Sequence, residues 1–101
     1  MRLTPTQHSA IRETAEEIFG PGVAIWLFGS RVDAQRRGGD IDLLIRPDPP
    51  TADSPTGVSL SARFVARLLC RIGEQRVDLV IKEPGDERPI VELAHRTGVR
   101  L

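Results

Sequence analysis

The sequence predicts an α/β (α+β) domain: a small sheet with helices packed against it. Three observations predict it. Short apolar runs at 23–28, 40–45 and 77–81 have the length and the bounding turns of strands. Around them, Ile11, Ala15 and Ile18, and later Leu60, Phe64, Leu68 and Ile72, recur at helical spacing. The length of 101 residues suits one minimal domain, 1–101, without room for a separate substrate domain.

Thr4-Pro5-Thr6-Gln7 reads as a capping box with proline at the first helical position, and Gly20-Pro21 ends the helix that follows. Val23 to Phe28 is a buried strand, broken by Gly29-Ser30. Residues 31–39 form a polar, arginine-rich loop that could begin with a turn of helix. Asp40 to Ile45 alternates at first and then turns apolar, as a strand running from a site into a core would. The segment 46–57 holds Pro47, Pro49, Pro50 and Pro55 and reads as a loop. Val58 to Ile72 is a core-facing helix stopped by Gly73. Val77 to Ile81 is the third strand, Pro89 to Arg96 a short helix, and Val99-Arg100-Leu101 a candidate edge strand.

Composition excludes some functions. With 14 basic and 14 acidic residues the net charge is zero, so direct nucleic-acid binding has no global electrostatic basis. Four aromatic residues, Phe19, Trp26, Phe28 and Phe64, make no base-stacking platform. No apolar run approaches the roughly 20 residues of a membrane span, and a cytoplasmic location is expected. The single cysteine, Cys70, lies in an apolar helical run and is expected to be a buried thiol. His8 and His95 have no partner at metal-ligand spacing and read as surface or helix-end residues.

The chemistry is concentrated in two segments. In Phe28-Gly29-Ser30, glycine allows close backbone approach to a phosphate, and serine supplies a hydroxyl beside backbone amides. Ten residues of chain later in register, Asp40 and Asp42 share one side of a strand while Ile41 and Leu43 face the core. Asp78, flanked by Val77 and Leu79, also faces away from the core, and joins the pair if its strand lies beside theirs. Carboxylates so placed repel, and a hard divalent cation such as Mg²⁺ offsets that repulsion best. Two such ions about 4 Å apart would clamp attacking and leaving oxygens in phosphoryl chemistry. The competing reading is a solvated strand face with Ser30 as a helix cap. Arg31, Arg36 and Arg37 are candidates to pair with the β or γ phosphate, with Lys82 a weaker one; each also reads as a solvated loop or strand-end residue.

Phe28-Gly29-Ser30, residues 31–39, and Asp40-Ile41-Asp42-Leu43 together resemble the signature of the DNA polymerase β-like nucleotidyltransferase superfamily. The small size and early helix are similar to its minimal, MNT-type members. The resemblance implies a mixed sheet flanked by helices and metal-dependent transfer of a nucleoside monophosphate, AMP from ATP. It implies that Gly29 and Ser30, with Arg31 and Arg37, hold the triphosphate. It further implies that Asp40, Asp42 and Asp78 bind two Mg²⁺ ions (or Mn²⁺) and that Asp78 helps activate the attacking hydroxyl. The family commonly has serine before its first aspartate, where this chain has Gly39.

The acceptor expected is a protein. Minimal members resemble antitoxins of HEPN/MNT toxin-antitoxin modules, in which the partner is a helical HEPN ribonuclease adenylylated on tyrosine. The alternative is a binding module that neutralises or scaffolds a partner by masking it. An exposed edge strand or the proline loop could support a homodimer.

Overall fold

The computed structural model describes residues 3–32, 40–50 and 59–101, with only the backbone of Ser30 and Arg31. Helix α1 (Pro5–Phe19) opens on the expected capping box. Thr4 Oγ1 accepts from the Gln7 amide at 3.0 Å, and Gln7 Oε1 accepts from the Thr4 amide at 3.0 Å. Strand β1 (Ala24–Phe28) runs into a single 3₁₀ turn, Gly29–Val32, and β2 (Ile41–Arg46) follows. Helix α2 (Leu60–Ile72) begins later than expected because Ser59 caps it, its hydroxyl accepting from the Ala62 amide at 3.1 Å. Strand β3 (Val77–Ile81), helix α3 (Pro89–Thr97) and a two-residue strand β4 (Val99–Arg100) complete the chain.

The result is a small mixed sheet of four strands flanked by three helices, in the order β3-β2-β1-β4. β1 is antiparallel to both neighbours, whereas β2 and β3 are parallel and joined through α2. Leu101 completes the edge contact by donating its amide to Ile25 O at 2.9 Å.

Alternation assigns each strand residue to a layer. Ile25 and Leu27 of β1, with Ile41, Leu43 and Ile45 of β2, are buried beneath α1 and α2 against Ile11, Ala15, Phe19, Phe64 and Leu68. The Phe19 and Phe64 rings meet at 5.9 Å between centroids. On the other face, Phe28 and Leu44 are buried by Val91 and Ala94 of α3, with Trp26 and Val80 packed alongside. β1 is therefore apolar throughout because both of its faces are covered. β2 is apolar on one face only: Asp42 and Arg46 share the α3 side with Leu44 and bracket it along the strand.

Two polar features were not legible in the pattern. Thr14 is fully buried in α1, donating to Ala10 O at 2.6 Å and accepting from Arg71 Nη1 of α2 at 2.8 Å. Arg71 also pairs with Glu17, so one guanidinium ties the two helices together. Cys70, expected to be buried, is exposed. It lies two residues past Leu68, about 200° around the helix from the core-facing line of Phe64 and Leu68. No described helix is long and apolar enough to cross a membrane.

Candidate active site at the start of β2 and β3

The parallel ladder places Ile41 opposite Val77 and Asp42 opposite Asp78. Val77 and Leu79 pack on the α1–α2 core, so Asp78 projects to the other face, as its flanking residues predict. Asp42 and Asp78 sit side by side there, in register on adjacent strands. Asp40 lies one residue before β2 rather than within it; next to it, the Ile41 amide donates to Arg76 O at 2.9 Å. The side chains of Asp40 and Asp78 keep 45% and 53% of their exposure, so both carboxylates remain open to solvent.

Gly29 stands over this group from β1. Phe28 pairs with Asp42, and the next residue, Gly29, adopts φ +77°, a left-handed conformation that side chains disfavour. A Cβ at this position would overlap Asp42 Oδ2. The sequence suggests glycine here for close approach to a phosphate. The structure adds that the neighbouring carboxylate already approaches this closely.

Electrostatics follow from the crowding. Partial burial, then the negative charges of Asp78 and Asp40, then the hydrogen bond to Asp78, raise the Asp42 pKa above the usual carboxylate value, with Arg76 opposing. Among the described residues, Arg76 lies beside these carboxylates: its Nε is 3.5 Å from Asp40 Oδ2 and 3.8 Å from Asp78 Oδ2. Its side chain is 74% exposed, so these contacts are screened and contribute little stability. Sequence reasoning passed over Arg76, although its place two residues before Asp78 gives it the same strand parity.

The donors present suit a hard divalent cation. All are carboxylate oxygens, they adjoin one another, and their repulsion is only partly offset by an exposed arginine. Among the described residues, however, no group of three or more acidic, histidine or cysteine side chains is arranged so that it could hold a metal ion.

Of the other residues suggested by sequence, Arg36, Arg37 and Gly39 lie outside the described residues, as do the side chains of Ser30 and Arg31. The backbone of Gly29 and Ser30 forms the 3₁₀ turn beside Asp42. Lys82 lies four residues along β3 from Asp78 and contacts His95, away from the carboxylates. His95, read from sequence as a helix-end residue, is exposed as expected but also meets the Trp26 ring edge-on at 4.5 Å. No protein-family model matches the chain, and a comparison with curated proteins returns no match.

Proposed function

We propose that this protein is a metal-dependent nucleotidyltransferase that transfers a nucleoside monophosphate, AMP from ATP, to a hydroxyl of a partner protein. One observation carries the reading: Asp42 and Asp78 are in register on adjacent strands, with the Gly29-Ser30 turn directly beside them. This juxtaposition requires three separate segments to agree. A solvated strand face accounts for an aspartate on the edge strand β3, but not for one on the inner strand β2 lying against a glycine with positive φ.

In this reading Asp40, Asp42 and Asp78 hold Mg²⁺, which when bound offsets charge on the triphosphate. The turn at Gly29-Ser30, with Arg31 and Arg37, orients the β and γ phosphates. The acceptor oxygen bonds to the α phosphorus as the bridge to the β phosphate breaks, and pyrophosphate leaves. Asp78, whose side chain is 53% exposed, receives the hydroxyl proton in this reading. The acceptor that best fits the family resemblance is a helical HEPN-type ribonuclease, which would make this chain an antitoxin.

The test is mass spectrometry of the adjacent gene's product after incubation with this protein, ATP and Mg²⁺. A gain of one or more AMP units, absent with Asp42→Asn, supports the transferase. A second reading, neutralisation by masking, is favoured by Arg76 already bracing Asp40 and Asp78. It expects a stable complex, no mass gain with any of the four nucleotides, and full neutralisation by Asp42→Asn.

A further inference from the structure

The far ends of β2 and β3 carry the opposite charge. Arg46 and Lys82 follow Asp42 and Asp78 by four residues each, and so share their face at a distance of roughly 13 Å. Arg100 reaches the same region from β4, where it pairs with Trp26 in the ladder. The Cζ atoms of Arg46 and Arg100 lie 5.3 Å and 5.6 Å from the Trp26 ring centroid. Lys82 Nζ donates to His95 Nε2 at 3.2 Å. Burial and then the charges of Lys82 and Arg46 lower the His95 pKa, disfavouring a further positive charge here.

Arg12, Arg67, Arg71, Arg76 and Arg88 each pair with a carboxylate, whereas among the described residues none of Arg46, Lys82 and Arg100 does. Three chain segments thus bring together cations that form no ion pair among the described residues. Stacking on Trp26 fixes the two guanidiniums while leaving their N–H edges free to donate.

We propose that Arg46, Lys82 and Arg100, arrayed about Trp26, dock a carboxylate-bearing segment of a partner protein. The surroundings favour a discrete acidic side chain over a nucleic acid. A cleft of about 280 Å³ adjoins the cluster, and beside Arg46 and Lys82 it is lined by Asp48, Glu83 and prolines. Those two carboxylates repel a continuous phosphate backbone but leave room for one or two acidic side chains at the cations. Trp26 is already surrounded by two guanidiniums and an imidazole, so it offers no ring for base stacking. The docking surface does not depend on what the aspartates at the other end of the strands do.

Trp26 is the sole tryptophan, so its fluorescence reports the site directly. The experiment titrates the full chain with a hexaglutamate peptide at low salt, following fluorescence and heat together. A saturable response, weakened at least tenfold in Arg46→Gln/Arg100→Gln and retained in Arg63→Gln, is expected, where tenfold corresponds to about 1.4 kcal/mol. Circular dichroism establishes that the variants are folded. Absence of both fluorescence change and heat overturns the proposal, as does equal weakening in Arg63→Gln. Tighter binding of an oligothymidylate or of inorganic phosphate than of the peptide overturns it in favour of a nucleic-acid or free-phosphate site.

Discussion

Gly29 and Asp42 are in steric contact: the carboxylate occupies the space that a side chain at Gly29 would need. The φ of +77° adds a conformational penalty to any such side chain. Gly29→Ala should therefore lose about 1–3 kcal/mol in urea denaturation. It should also displace Asp42 and, on the proposed function, weaken any thermal shift that Mg²⁺ and ATP produce in the wild type. A variant with unchanged midpoint and unchanged ligand response would show that the turn tolerates the methyl group.

Asp42→Asn should stabilise the metal-free protein at neutral pH. Because the folded-state pKa of Asp42 is raised, the native state binds more protons than the unfolded chain. Stability in wild type then falls as pH rises from the ordinary carboxylate pKa through the raised value, and is level above it. Asparagine removes this loss, so the variants should melt alike in acid and diverge through that window. The expected outcome at pH 7 is a higher melting temperature for the variant. Scanning calorimetry across pH decides it; a variant less stable than wild type at neutral pH would contradict the sign.

Arg76→Gln removes the guanidinium that lies between Asp40 and Asp78. With less positive charge nearby, Mg²⁺ should bind about two- to fivefold more tightly, in keeping with the modest strength of exposed ion pairs. Isothermal titration calorimetry measures this. Weaker Mg²⁺ binding in the variant would mean that Arg76 positions the carboxylates rather than competing for them.

Phe64→Ala empties the centre of the α1–α2 layer, where Phe64 is fully buried against Phe19. A loss of about 3–5 kcal/mol is expected, a large share of the total stability of a small domain. Urea denaturation should show a lower midpoint and, where two-state behaviour holds, an unchanged slope.

Much of this arrangement was legible because strands have a period of two. The flanking Val77 and Leu79 were enough to turn Asp78 away from the core, and Thr4 with Gln7 announced the first helix. What pairs with what was less legible. The parallel register that sets Asp42 against Asp78 is a contact between distant segments, and only the conditional statement could be made from sequence. Cys70 misled because an apolar neighbourhood in sequence is not a buried face; two residues along a helix reverse the direction of a side chain. Arg76 and the Trp26–His95 contact escaped notice because each gains meaning only once its strand or helix has neighbours.

The parallel pairing of β2 and β3 has a bearing on how the site is lost. Asp42 belongs to an antiparallel ribbon with β1, and Asp40 immediately precedes it. Asp78 comes into place only after α2 has carried the chain back to lay β3 at the open side of the sheet. An edge strand opens more readily than the sheet it borders. Fraying of β3 alone would separate Asp78 from its partners while the ribbon and helices α1 and α2 remain folded. The proposed transfer activity should therefore disappear before secondary structure does as temperature or denaturant rises, and amide exchange in β3 should follow that loss more closely than exchange in β1.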